Sequence, residues 1–289
     1  MNKTFAHAGA VIGVAIAITV AALLSVTAPA AQAQSPSPST WETIQSTGKL
    51  RMGVTQAPPW YSKNPATGQW ESGLIVSIGQ AMANDLDVEL EMVEVTWATA
   101  IAALQANKID MMFLDATPSR ARVVDYPFQP LLYISLAVLA RDDLAAESWE
   151  DLNQDGVRVA VPQATSMDAF LTRTIPNADI QRFPDNGAAL AAFQSGRVDA
   201  VSLFHPPLLA ARKKFGAGKL VIPTPAFSSP SSIAVRREAD KTFRDWVSHA
   251  IFYYYETGRT QKWYEAFLTE FGLDPKASPV IQRELLFNK

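Results

Sequence analysis

The chain has 289 residues, 48% of them hydrophobic, and a formal net charge of −3. This supplies apolar material for one large core or two smaller ones, and no basic stripe marks a nucleic-acid partner. There is no cysteine, and only His205 and His249 lie beyond residue 33; disulfides are excluded, and neither a metal site nor a cofactor is expected.

Residues 1–33 read as a secretory signal peptide. Lys3 precedes an apolar run over residues 8–26, and Ala31-Gln32-Ala33 follows as a small-x-small cleavage site. The run is long for a signal peptide, so an uncleaved anchor is the rival reading. Residues 34–42 read as a flexible mature N-terminus, opened by Ser and Pro. With no cysteine to carry a lipid and no second apolar run of spanning length, the mature chain is expected to be soluble in the periplasm.

Strand-like and helix-like segments then alternate. Residues 50–54 predict a short strand, 74–86 a helix, 88–95 a strand, 98–105 a helix and 109–114 a buried strand. Residues 157–161 predict a strand, and a helix opens at 167–171. Residues 240–271 predict two amphipathic helices broken near Gly258. The alternation predicts an α/β protein with mainly parallel sheets.

One internal echo bears on domain organisation. Ala103-Leu104-Gln105-Ala106-Asn107-Lys108-Ile109-Asp110 returns 89 residues later as Ala192-Phe193-Gln194-Ser195-Gly196-Arg197-Val198-Asp199. Each copy reads as a helix end, an Asn or Gly at a left-handed stop, a basic residue and then a strand. The expectation is two lobes of one design; chance similarity between common helix-to-strand turns is the alternative.

Several strings resemble the periplasmic amino-acid-binding proteins of ABC importers. They are Leu50-Arg51-Met52-Gly53-Val54, Ala57-Pro58-Pro59-Trp60, the two echoed strings, and Thr117-Pro118-Ser119-Arg120-Ala121-Arg122-Val123-Val124-Asp125-Tyr126. The resemblance covers residues 41–272, and the last string is its most specific element. It implies the two-lobed type II periplasmic binding fold: α/β lobes of mainly parallel sheet flanked by helices, joined by two crossing segments near residues 131–137 and 224–234. Lobe 1 is then expected over 43–131 and 230–289, and lobe 2 over 132–229. Ligand is expected in the cleft, where strand ends and helix N-termini converge.

The same resemblance makes Arg120 the partner of a ligand carboxylate. A guanidinium fork suits that task at any working pH; a surface arginine at a helix start is the plainer reading. Thr117, in the same string, is expected beside it. Thr165 and Ser166 fall at a predicted helix N-terminus, where free amides hold an anion; ordinary N-capping is the alternative, and one hydroxyl can cap while neighbouring amides bind. Asp115 stands where the family has Ser or Thr, and Phe204 stands where it has an aspartate for the ligand ammonium. Asp115 and Phe204 are matched positions in the two echoed units, so the ammonium partner is expected to have crossed the cleft to Asp115. Trp60, Tyr61 and Trp97 are candidate walls or core residues. His205, beside two prolines, reads as structural rather than as a ligand contact.

The function so implied is a solute-binding protein that captures a small polar metabolite, an amino acid or derivative, and passes it to an inner-membrane ABC permease, working as a monomer. No catalytic residues are expected, since no nucleophile-base pair, metal cluster or phosphate loop is visible. Two rivals remain. One is a dehydratase on the same fold using Asp115 as general acid. The other is a ligand-sensing module, for which no fused signalling domain is seen.

Overall fold

The computed structural model describes residues 37–281, apart from Pro59 and Pro65. The expected signal segment of residues 1–33, the first residues of the expected tail and residues 282–289 lie outside the described residues.

The chain from Pro38 onward forms one compact unit. It begins with α1 (Thr40–Thr47), which takes in residues 40–42, expected from the sequence to be part of a flexible tail. Ser39 is the reason. Its hydroxyl accepts from the Glu42 amide while Glu42 reaches back to the Ser39 amide, a reciprocal cap that starts a helix. There follow β1 (Lys49–Val54), a small hairpin of β2 (Ser62–Lys63) and β3 (Trp70–Ser72), α2 (Leu74–Asp85), β4 (Glu89–Glu94), α3 (Ala100–Gln105) and β5 (Met111–Asp115). A one-turn 3-10 helix (Arg120–Arg122) leads to β6 (Val124–Asp125) and the long β7 (Leu132–Ala140).

The next stretch carries α4 (Trp149–Leu152), β8 (Arg158–Pro162), α5 (Ser166–Thr174), β9 (Asp179–Phe183), α6 (Asn186–Gln194), β10 (Ala200–Phe204), α7 (His205–Phe215) and β11 (Lys219–Val221). The chain returns through β12 (Ser228–Arg236) to α8 (Thr242–Glu256) and α9 (Arg259–Glu270). Gly258 separates these last two at φ 71°, as the expected break near that glycine requires.

The strand order is β4-β1-β5-β12-β7-β10-β8-β9. β1 runs parallel to β4 and β5, and β8 runs parallel to β9 and β10. The two long strands make the crossing. β12 pairs with β7 over Ser228–Ser231, then with β5 from Ser231 to Val235. β7 pairs with β12 up to Ser135, then with β10 from Leu136 onward. The two strands therefore carry the sheet from its β5 side to its β10 side, which places the ends of β5 and β10 on either side of the crossing.

The echoed units share one piece of wiring. Asp110, just before β5, accepts from the Arg51 amide at 2.7 Å and from its guanidinium at 2.6 and 3.1 Å. Asp199, just before β10, does the same to Arg158, at 3.0, 2.7 and 2.9 Å. Asn107 and Gly196, the two helix stops, sit at φ 54° and 73°. An L side chain pays steric strain there, which is why Asn or Gly takes the position.

Candidate functional site

Asp115 is the last residue of β5 and is 7% exposed. Its Oδ1 accepts from Ser231 Oγ of β12 at 2.5 Å, and its Oδ2 accepts from the Ser166 hydroxyl at the start of α5. A carboxylate has about four acceptor sites, so two remain open. The Asp115 backbone carbonyl accepts from the Tyr126 hydroxyl at 3.0 Å and from Arg120 Nη1 at 3.3 Å. Burial pushes the Tyr126 hydroxyl pKa up, which keeps it a donor.

Arg120 is presented by the 3-10 turn. Thr117 shapes that turn: its hydroxyl accepts from the Arg120 amide at 3.3 Å and its carbonyl from the Ala121 amide at 2.9 Å. The guanidinium lies 3.9 Å from Asp115 Oδ2 and donates through Nη2 to the Ala164 carbonyl at 3.4 Å. Ala164 is held at φ 59°, an uncommon state for a residue with a Cβ. The bend turns the chain from β8 into α5, where Thr165 caps the helix by accepting from the Asp168 amide at 3.1 Å. That cap leaves the first-turn amides at Ser166 and Met167 available to an acceptor.

These groups surround a cavity between the lobes. Asp115, Arg120, Trp60, Trp97, Thr165 and Phe204 all line it. Sequence reasoning missed Phe113, Leu114, Met167, Asn186 and Pro207, which line it too. Trp60 packs against Phe113 with ring centres 5.4 Å apart. The cavity is small, of about 30 Å³. Thr117 and Ser166 do not line this cavity. They line a wider groove of about 860 Å³ outside it, with Arg120 and Thr165 common to both.

One missed residue had a signal in the sequence. Trp97 Nε1 donates to Asn186 Oδ1 across the cleft at 3.2 Å, and the two stand 89 residues apart. That is the spacing of the echoed strings, so the repeat that predicts Phe204 opposite Asp115 also pairs Asn186 with Trp97. Phe113 and Leu114 had no such signal, because an apolar strand reads as core.

Two other candidates lie elsewhere. Tyr61 is fully buried behind Trp97, ring centres 6.5 Å apart. His205 opens α7 and is fully buried; its Nδ1 accepts from the Ser135 amide at 3.2 Å, and its Nε2 lies 3.4 Å from the Tyr264 hydroxyl, which donates to the Pro279 carbonyl. Burial pushes the His205 pKa down to about 4 against those hydrogen bonds. Among the described residues, no three His, Asp or Glu side chains converge as a metal would need, and no helix is long and apolar enough to cross a membrane.

The sequence model of the bacterial extracellular solute-binding proteins, family 3, matches residues 50–270. The chain belongs to this family. The L-cystine-binding protein TcyJ of Escherichia coli is 24% identical over 234 residues, covering 78% of this chain and 86% of that protein. An ancestral amino acid-binding protein, described as a precursor of cyclohexadienyl dehydratase, has a crystal structure 31% identical in sequence. It superposes with a TM-score of 0.71 over 79% of this chain and 99% of its own. The cysteine-binding protein of Campylobacter jejuni, 24% identical, has the same fold, with a TM-score of 0.73 over 81% and 94% of the two chains. The solute-binding family thus accounts for the α/β lobes and the paired crossings of the type II periplasmic binding fold.

Proposed function

We propose that the chain is the ligand-capturing component of an ABC importer, binding an amino acid or close derivative between lobe 1 (residues 43–131 and 230–289) and lobe 2 (residues 132–229). The observation that carries this reading is the adjacency of Arg120 and Asp115, 3.9 Å apart at the rim of an interlobe cavity. The carboxylate and ammonium of an α-amino acid share one carbon, so they need neighbouring partners of opposite charge. Arg120 and the open amides of α5 take the carboxylate, while the free acceptor sites of Asp115 take the ammonium. The matched relatives support the assignment: they are named as binding proteins for cystine, arginine and histidine.

Three polar links cross the cleft, from Ser166 to Asp115, Arg120 to the Ala164 carbonyl and Trp97 to Asn186. These links close the cleft over the cavity, so entry of an amino acid requires the lobes to part about β7 and β12 and the links to re-form around it. Thr117 serves by shaping the turn that presents Arg120. Residues 1–33 are removed on export, and the mature protein works in the periplasm as a monomer that docks on an inner-membrane permease. Asp115 acts as a binding carboxylate rather than a proton donor, because both its oxygens accept from serine hydroxyls.

The test is a thermal-shift screen of the mature protein against amino acids and their derivatives, since a ligand that binds only the native state raises the melting temperature. A positive ligand is then titrated by calorimetry into Arg120→Ala and Asp115→Ser. Each variant leaves a charge without its mate in the closed cleft, a loss of about 2–5 kcal/mol, so binding weakens about thirtyfold or more. Wild-type affinity in Arg120→Ala would sink the site.

A further inference from the structure

Asp115 and Arg120 account for the head of the ligand; the rest of the cavity describes its body. Among the described residues, those two are the only charged ones that line the cavity, and they stand together at one place. An α-amino acid head engages both.

The other polar side chains that line it are neutral. The Thr165 hydroxyl donates to the Pro162 carbonyl at 2.7 Å and accepts from the Asp168 amide. Asn186 Oδ1 accepts from Trp97. What remains is apolar from both lobes: Trp60 and Phe113 on one side, Phe204, Met167 and Pro207 on the other. Phe204 carries the most weight. It ends β10 as Asp115 ends β5, so lobe 2 offers a phenyl ring where lobe 1 offers a carboxylate.

A second charge on the ligand would therefore leave water for a wall of rings with no opposite charge to meet it. Aromatic faces attract a cation, but desolvating a guanidinium or ammonium takes more than that attraction returns unless a carboxylate also pairs with it. We propose that the ligand is an α-amino acid with an uncharged, apolar or aromatic side chain, and that Phe204 sets this preference. The proposal rests on the amino-acid reading of the site given above.

Calorimetric titration of the mature protein with phenylalanine, leucine and methionine, against arginine, lysine and glutamate, tests it. The expected result is at least one apolar amino acid bound tenfold or more tighter than every charged one. A charged amino acid bound as tightly, with affinity lost in Arg120→Ala, would overturn the apolar preference and leave the amino-acid reading standing. Absence of binding by all of them, and by the remaining amino acids, would overturn both. In Phe204→Asp the ranking is expected to move toward lysine and arginine by tenfold or more, and an unchanged ranking in the folded variant would overturn the role of Phe204. The wild-type series decides the proposal if that variant does not fold.

Discussion

The unit ending in β5 and the unit ending in β10 are built alike and finish differently. Both stop a helix at a left-handed residue, and both bury an aspartate under the arginine of a neighbouring strand. Five residues past that aspartate they diverge: lobe 1 ends its strand in Asp115 and lobe 2 in Phe204. The next residue diverges too, Ala116 in one and the buried His205 in the other. The shared part is scaffold, held by a local need to fix helix against strand. The divergent part faces the cleft and the crossing, where no such local need fixes the residue.

The largest expected effect probes the shared part. The Asp110 side chain is wholly buried, whereas the arginines around Asp199 are 37% and 45% exposed. Asp110→Ala leaves Arg51 without its mate and should lower stability by about 3–5 kcal/mol. Asp199→Ala leaves arginines that water can reach, and should lower it by about 1–2 kcal/mol. Urea unfolding midpoints of the two variants measure this, and equal losses would break the asymmetry. Arg158 also holds the Asp199 carboxyl down to about 2, so that residue's contribution is present above its ordinary pKa near 3.9 and fades only as pH falls from there toward 2.

The second effect has no counterpart at Ala116, the matched position in lobe 1. His205 titrates at about 4 in the folded chain against about 6.5 unfolded. Between those values the unfolded state binds the extra proton, so stability is complete above about pH 6.5 and falls as pH drops toward 4. The loss approaches about 3 kcal/mol at the acid end. Unfolding midpoints measured from pH 7.5 to 4.5 should fall in the wild type, and His205→Phe should flatten that slope. A slope unchanged in the variant would place the acid sensitivity elsewhere.

The smallest effect sharpens the repeat itself. A Cβ at Gly196 meets nothing within 4 Å, so only its φ of 73° resists substitution. Gly196→Ala should destabilise by about 1 kcal/mol. Asn107→Ala at the matched stop should lose more, because the Asn107 side chain also accepts from Arg51 at 2.8 Å. Thermal melting of the pair tests the order.

Sequence alone was enough for most of what is written in neighbouring residues, the Ser39 cap that opens α1 being the exception. Helix stops, strand periods and the pattern of caps depend on a few adjacent side chains, so the breaks at Asn107, Gly196 and Gly258, the Thr165 cap and the repeat itself were legible. So was the α/β class, because the alternation of strands and helices leaves few ways to bury both sheet faces; the two-lobed fold was legible only through the resemblance. The closing partners of the site were not. Ser231 reaches Asp115 from 116 residues away, and only the switch of β12 from β7 to β5 brings it there. Phe113, Leu114 and Met167 look like any core residue until the lobes meet, since apolar side chains carry no mark of whether they face a core or a cleft. Local propensity acts over one turn or one strand, whereas a cleft is made by surfaces that the chain joins only through its long crossings; tertiary pairing alone decided which rings, hydroxyls and charges stand together.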